Sequence, residues 1–245
     1  MPLQPVQRSS VADAVFDQLL DEVLSGQIDA GDPLPAERAL TAALGVNRQA
    51  VREALQRLAE AGLVEIRHGG RTLVRDFRAS AGLDLLPRLL VRPDGTVDAD
   101  VANALMELRA GLGPDVARRC AERADAATGS RIADLTARMA DAGEDLGVIA
   151  ALDLQFWDAI VEGADNIAYR FAFNGMRRTY EPIAELLRQT LSPELLDHAG
   201  RGVIAAAITA GDGAAAAAGA ARLLARGEAA VQQLMAALDQ NKERT

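Results

Sequence analysis

The chain has 245 residues, of which 49% are hydrophobic, so it can bury a large core, yet no apolar stretch of about 18 residues predicts a membrane-spanning helix. Its formal net charge of −9 argues against a protein that coats nucleic acid non-specifically. The single Cys120 excludes an internal disulfide and the N-terminus lacks the apolar core of a secretory signal, as is typical of cytoplasmic proteins.

The first predicted element is a helix that begins at Ser10. Residues 10–13 resemble a capping box, in which side chains satisfy the free amides of the first helical turn. Apolar residues then recur along one face of the helix, at Val11, Val15, Leu19 and Val23. A turn rich in Asp, Gly and Pro follows at residues 29–33.

Residues 34–74 predict two helices that meet at a glycine turn, followed by a hairpin. In the second helix Asn47 is a good N-cap. Beside its apolar face lie Arg48, Gln49 and Arg52, whose side chains can bind guanine or adenine edges in the major groove. This order is typical of a winged helix-turn-helix, whose recognition helix contacts bases through its first turn. The alternative is an ordinary amphipathic helix with a solvated Arg and Gln face.

The hairpin is the predicted wing. Residues 64–66 and 72–74 are typical of strands, and the Gly69–Gly70 pair between them is a two-residue turn signal. His68 and Arg71 flank that turn, where their side chains can donate to phosphates or to the minor groove. This region is locally basic although the chain as a whole is acidic.

The segments PAER, LGVNR, VREAL and GLV match, in order and spacing, the winged helix-turn-helix of the GntR family of bacterial regulators, which this part of the chain resembles. Within that family the likeness is strongest to the FadR subfamily of fatty-acid regulators. The resemblance implies a homodimer on a short palindromic operator in double-stranded DNA. Three differences from many members are Ala36 in place of Ser, and Asn47 and Gln49 where Ser or Thr are frequent. The DNA-binding residues that we expect are Arg38, Asn47, Arg48, Gln49, Arg52, His68, Gly69 and Arg71.

The rest of the chain predicts helices alone, separated by Gly, Asp or Pro. Helices joined by short loops favour an antiparallel bundle. The predicted helices cover residues 98–124, 131–142, 148–162, 167–190, 193–210 and 213–239. We therefore expect a mostly α protein: a winged helix-turn-helix with a small β-hairpin over 1–77, a linker over 78–97 and an all-α antiparallel helical bundle over 98–245.

This second half resembles the FCD domain through the segments ELRAGLGPDVARRCAER, ALDLQFWDAIVEGADN and ITAGDGAAAA. Many FCD domains hold a metal ion through one Asp and three His. Here Asp153 is present, but the three histidine positions carry Trp157, Arg201 and Leu223. His198, one turn before Arg201, is a possible substitute. One His and one Asp make a poor transition-metal site, so we expect no metal and no other cofactor.

Regulators of the FadR subfamily use the bundle interior to bind an acyl-CoA. Arg109 lies on a helix that is otherwise apolar on its inner face. It either holds a carboxylate, thioester or phosphate of a ligand, or pairs with an acid such as Asp153 for structural reasons. Tyr180, in a segment similar to the FadR motif NGMxxxY, offers a hydroxyl to a ligand. The effector-binding residues that we expect are Arg109, Asp153, Phe156, Trp157, Asn174, Tyr180 and Arg201.

Together these features predict a cytoplasmic, homodimeric transcription repressor that releases or binds DNA in response to a small molecule. The small molecule that fits these features best is a fatty acyl-CoA or a related lipid. The first alternative is a metal-assisted sensor of organic acids. An enzyme is not expected, since one Cys and two His leave no visible nucleophile and base pair. A constitutive architectural DNA-binding protein, which needs no cavity, is the remaining alternative.

Overall fold

The computed structural model describes residues 11–67, 71–92 and 94–242. The chain divides into two compact units, one up to Leu85 and one from Leu86 onward. The predicted fold class is confirmed, because the first unit combines helices with a small hairpin and the second is helical. The boundaries expected at residues 77 and 98 lie on either side of the division and stay a prediction.

The first unit is organised around three helices. They are α1 (Val11–Leu24), α2 (Glu37–Leu44) and α3 (Arg48–Glu60). Helix α1 packs against α3, and Leu20, Val51 and Leu58 are fully buried between apolar faces. The turn between α2 and α3 is made by Gly45, whose φ of 65° lies in the left-handed region that glycine adopts at no steric cost. Ser10, the first residue of the predicted capping box, lies outside the described residues.

The predicted hairpin is confirmed for the strands themselves. Strands β1 (Val64–Arg67) and β2 (Arg71–Val74) pair antiparallel, with Val64 opposite Val74 and Arg67 opposite Arg71. The preceding loop adds to this sheet, since the Leu34 amide donates to the Thr72 carbonyl at 2.8 Å. Residues 68–70 at the tip, which include the predicted His68 and Gly69, lie outside the described residues.

A short helix, α4 (Phe77–Ser80), and a 3-10 turn (Leu83–Leu85) complete the first unit. The Ser80 hydroxyl donates to the Gly62 carbonyl at 2.6 Å, which ties α4 to the end of α3. Gly62 has a φ of 76°, and a Cβ there would lie 2.7 Å from the Ser80 carbonyl oxygen. Only glycine therefore fits this close approach.

The second unit is helical throughout the part of the chain that the structure describes. Its helices are α5 (Leu86–Leu90), α6 (Ala99–Arg123), α7 (Ala126–Asp141), α8 (Leu146–Gly163), α9 (Ile167–Tyr180), α10 (Ala184–Thr190), α11 (Ser192–Leu195), α12 (His198–Thr209) and α13 (Gly213–Lys242). Helix α13 packs along α6 and α12, while α7 packs on α8 and α12. No helix in the described ranges is long and apolar enough to span a bilayer.

Two predicted helices are divided in the structure. The helix expected over 167–190 ends at Tyr180, and a 3-10 turn (Glu181–Ile183) precedes α10. Pro182 explains this break, because it has no amide to donate within a helix. The helix expected over 193–210 is likewise divided before Asp197, whose side chain accepts from the Gly200 amide at 2.9 Å and caps α12.

The alanine-rich start of α13 packs closely against its neighbours. Ala216 and Ala220 are fully buried. A Cβ on the neighbouring Gly219 would lie 3.0 Å from Ile204 Cγ1, so the small residues set how closely α13 approaches α12.

Candidate DNA-reading surface and effector cavity

Helix α3 presents its predicted polar residues to solvent. Its N-cap is as predicted: Asn47 accepts a hydrogen bond from the Ala50 amide at 2.9 Å, which holds the first turn in place. Arg48, Gln49 and Arg52 are exposed along this turn and the next. The Arg48 side chain is 80% exposed, and its Nε donates to Glu37 of α2 at 3.1 Å.

Two more predicted DNA-binding residues are exposed on other elements of the first unit. Arg38 lies exposed in the first turn of α2, and Arg71 lies exposed at the start of β2. Arg38, Arg52 and Arg71 form no ion pair with a described residue, so their charges are free to meet phosphates or base edges. Helix α2 begins without a side-chain cap, since Ala36, which stands where many family members have Ser, forms no such bond.

The second unit contains a cavity of about 540 Å³, within the range of small-molecule sites. Helices α6, α8, α9, α10 and α13 all contribute to its wall. Most of the wall is apolar, as at Leu112, Phe173 and Leu187, while polar groups gather in two places. Buried polar groups lie near Arg109, and exposed arginines lie on α9 at the rim.

A buried ion pair joins α6 to α11 at the cavity wall. Arg109 Nη1 donates to Glu194 Oε2 at 2.8 Å, and its Nη2 bonds the other carboxylate oxygen. Glu194 has no exposed surface. Burial raises the pKa of Glu194, against the opposing attraction of Arg109, and Glu194 in turn raises the pKa of Arg109. Gly227 on α13 leaves room for this pair, because a Cβ there would lie 2.0 Å from Glu194 Oε2.

A second buried ion pair lies next to the first. The fully buried Arg201 donates to Asp153 Oδ1 from Nε at 2.9 Å and from Nη2 at 2.6 Å. Its Nη1 donates to the carbonyl oxygens of Glu194 at 2.7 Å and Leu195 at 3.1 Å. Arg201 thus ties α8 to the turn between α11 and α12, and its charge is compensated by Asp153.

The residues present do not fit the metal site of other FCD domains. Arg201 places a cation against Asp153, where a metal would otherwise bind the carboxylate. Trp157 offers no lone pair, Leu223 is fully buried, and His198 Nε2 lies 3.1 Å from the Gly143 carbonyl oxygen. Over the described ranges no group of three or more His, Cys, Asp or Glu could hold a metal ion.

Two donors at the cavity are buried without a protein partner among the described residues. They are Nε1 of Trp157 and the hydroxyl of Tyr180, and both residues line the cavity. Burial raises the pKa of Tyr180, with Arg109 opposing, so the phenol stays protonated and can donate. Such atoms mark positions where a bound molecule gains a hydrogen bond.

The structure brings most of the predicted effector residues together. Arg109, Asp153, Trp157 and Tyr180 line the cavity, and Arg201 lies behind Asp153. Two predicted residues are not in its wall. Phe156 is fully buried in the helical core, packed edge-to-face on Trp157 with 5.7 Å between ring centroids. Asn174 is half-buried on α9, on a side of the helix outside the wall.

Sequence reasoning missed two arginines of the cavity wall and the buried acid that pairs with Arg109. Glu194, the partner of Arg109, lies in a four-residue helix whose sequence carries no signal of a buried acid. Arg177 and Arg178, both exposed at the rim, stand three and two residues before Tyr180 in the segment that the sequence had already singled out. Their charge beside that motif was the available signal. Arg109 follows the structural alternative, because it pairs with an acid, but that acid is Glu194 and not Asp153, which was named as an example.

Comparison with known families covers both units. Residues 11–74 match the family described as bacterial regulatory proteins of the gntR family, and residues 104–226 match the FCD domain. The HTH-type transcriptional regulator Mce2R of Mycobacterium tuberculosis is 44% identical over 212 residues, which cover 86% of this chain and 88% of that protein. The fatty acid metabolism regulator protein of Edwardsiella ictaluri is 27% identical over 175 residues, 71% of each chain.

A solved structure of Lar from Listeria monocytogenes, described as controlling expression of the agr system, shares the fold with a TM-score of 0.57. The two sequences are 15% identical, and the match spans 94% of this chain and 100% of the Lar chain. At this identity the likeness concerns the fold alone. Both family domains match this chain, and the relative that is 44% identical matches it over most of both lengths. These matches identify the family of the protein and the function that its members share. Regulators of the GntR family bind DNA through a winged helix-turn-helix and bind a small-molecule effector through a second domain. This chain belongs to the GntR family of bacterial transcription regulators, and its second domain is an FCD domain.

Proposed function

We propose that this protein is a repressor that senses a fatty acyl-CoA, or a related lipid metabolite, in its FCD domain and acts on the chromosome in the cytoplasm. The observation that carries the proposal is the cavity of about 540 Å³, whose apolar wall suits an acyl chain. The exposed Arg177 and Arg178 at its rim suit the phosphates of coenzyme A. A relative named fatty acid metabolism regulator protein supports the same direction.

On the DNA side, we propose that Arg48, Gln49 and Arg52 contact base edges, with Arg38 and Arg71 on phosphates or neighbouring bases. Asn47 shapes the first turn of α3, and DNA contacts by His68 and Gly69 are part of the same proposal. Arg48 can exchange Glu37 for a guanine, because an exposed ion pair contributes little and is readily replaced by a two-bond contact. A palindromic operator has two half-sites and requires two winged helix-turn-helix units, so the active form is a homodimer.

Regulation follows from linkage between the two ligands. If the effector prefers a form of the protein that binds DNA poorly, then DNA must weaken the effector by the same factor. That reciprocity distinguishes a regulator from a protein that merely binds lipids.

The test is a titration of a long-chain acyl-CoA into the full chain, with and without an operator selected from random duplexes. Trp157, the only tryptophan, reports binding by its fluorescence, and calorimetry provides an independent measurement. We expect saturable binding that operator DNA weakens. Absence of binding, or equal affinity with and without operator, would contradict the proposal. Zn²⁺-dependent binding of a small carboxylate would favour the metal-assisted acid sensor instead.

A further inference from the structure

The polar groups of the cavity restrict the chemistry of its ligand further than its size does. Two hydrogen-bond donors, Trp157 Nε1 and the Tyr180 hydroxyl, are buried without a partner among the described residues. The indole NH can only donate, and the phenol is held in its protonated form. Both donors therefore call for an acceptor oxygen on the bound molecule.

The charged groups beside these donors are already compensated. Arg109 is paired with Glu194, and Arg201 is paired with Asp153. The two pairs form one cluster, because Arg201 also donates to the Glu194 carbonyl oxygen. Two cations and two anions leave no net charge in this buried region. A ligand carboxylate placed here would be an uncompensated buried anion, whereas a neutral carbonyl accepts the same hydrogen bonds without that penalty.

Net positive charge lies at the rim instead, because two arginines there outnumber the single acid Glu181. Arg177 and Arg178 are exposed and form no ion pair with a described residue, unlike Arg188, which is paired with Glu185. They stand two and three residues before Tyr180 on α9. A molecule whose carbonyl meets Tyr180 would therefore carry its anionic part outward past these two arginines.

From this arrangement we infer that the cavity recognises a neutral acyl ester by its carbonyl oxygen. Among such esters, a thioester fits the arrangement best. Trp157 and Tyr180 donate to that oxygen, the acyl chain lies against the apolar wall, and the phosphorylated end reaches Arg177 and Arg178. This inference rests on the proposed function and specifies which part of an acyl-CoA the buried donors read. A free fatty acid, whose carboxylate would enter the neutral cluster, should bind far more weakly.

The decisive comparison uses dodecanoyl-CoA and S-dodecyl-CoA, a thioether that has the same chain length but lacks the carbonyl oxygen. Calorimetry on the full-length protein should show the thioester binding about tenfold more tightly, as expected for donors left unpaired by the thioether. The preference should shrink in Tyr180→Phe and in Trp157→Phe, and vanish in the double variant. Unchanged thioether affinity in these variants shows that the site is still folded. Equal binding of the two compounds to the wild-type protein would overturn the inference.

Two further measurements test the contribution of the ligand's acidic group and that of the two rim arginines. Free dodecanoate should bind far more weakly than dodecanoyl-CoA, and equal affinity would overturn the expected preference against a carboxylate. Arg177→Ala with Arg178→Ala should weaken dodecanoyl-CoA and reduce its salt dependence without weakening methyl dodecanoate. Arg222→Ala, an exposed arginine on α13 outside the cavity wall, is the matched control. If neither CoA compound binds, the proposed function fails together with this inference, whereas equal binding of both leaves the proposed function in place.

Discussion

Arg201 and Asp153 form a buried pair in which one carboxylate oxygen accepts two hydrogen bonds from the same guanidinium, at 2.9 and 2.6 Å. Arg201 stands at a position where many FCD domains have a metal-binding histidine, as the resemblance implies. Its planar guanidinium compensates the carboxylate charge and also satisfies two backbone carbonyls at the end of α11. An arginine thus meets the electrostatic need of Asp153 without a metal ion.

Replacing this arginine should strongly destabilise the helical unit. Arg201→Met leaves the mostly buried Asp153 carboxylate unpaired, which costs up to about 3–5 kcal/mol. Thermal unfolding followed at Trp157 should shift down by roughly 2–4 °C per kcal/mol. Adding Asp153→Leu removes the unpaired charge and should recover part of the loss. A single variant as stable as the wild type would contradict the structural role of the pair.

Removal of metal ions should change nothing in the effector domain. Because Arg201 already compensates Asp153, we expect EDTA treatment to leave the melting temperature and the affinity for acyl-CoA unchanged. Added Zn²⁺ or Ni²⁺ should leave both values unchanged as well. Loss of ligand binding after chelation, restored by one of these ions, would show that a metal is required after all.

Base reading and phosphate binding should separate in the first unit. Arg52→Ala should cost about 1–3 kcal/mol of discrimination between the operator and a scrambled duplex, since a base-edge contact is lost. Arg71→Ala should weaken both duplexes by similar factors, because a phosphate contact carries no sequence information. Gel shifts at one fixed salt concentration measure both effects, with Arg222→Ala as the control. An Arg52→Ala protein with full preference for the operator would exclude this role.

Gly227 should be irreplaceable where it faces the Arg109–Glu194 pair. A Cβ at this position would lie 2.0 Å from Glu194 Oε2 and 3.1 Å from Arg109 Nη1, so Gly227→Ala should separate the pair and lower stability by several kcal/mol, on the order of a broken buried ion pair. The matched control is Gly202→Ala on α12, where no atom lies within 4 Å of the added Cβ. That change should stabilise the helix by about 1 kcal/mol. Equal effects of the two substitutions on thermal unfolding would contradict this account.

Cys120 should be chemically silent in the native protein. Its thiol is fully buried, and this burial raises its pKa to about 12, so almost no reactive thiolate exists at pH 8. We expect no reaction with Ellman's reagent at pH 8 in native protein and one equivalent after unfolding in urea. Raising the pH toward 10 should leave the native thiol unreactive as long as the protein stays folded. Rapid native reaction at pH 8 would show that the helices around Cys120 open easily.

The sequence by itself determined the local elements and the family. Asn47 before an amphipathic segment predicts a helix start, Gly45 predicts the turn before it, and alternating residues on either side of two glycines predict the hairpin. Each of these signals depends on residues that are neighbours along the chain, where backbone geometry and capping act directly. The absence of the metal-binding histidines is also visible in the sequence, as soon as the FCD segments are aligned.

Only the tertiary structure decided which distant residues meet. Arg109 and Glu194 lie 85 positions apart, and Arg201 and Asp153 lie 48 apart, so no local pattern specifies either pair. Phe156 and Trp157 are adjacent in sequence, yet their different directions on α8 send one ring into the core and the other to the cavity wall. The donors of Trp157 and Tyr180, which have no partner among the described residues, could be identified only in the folded structure, because satisfaction of a polar atom depends on packing from several helices at once.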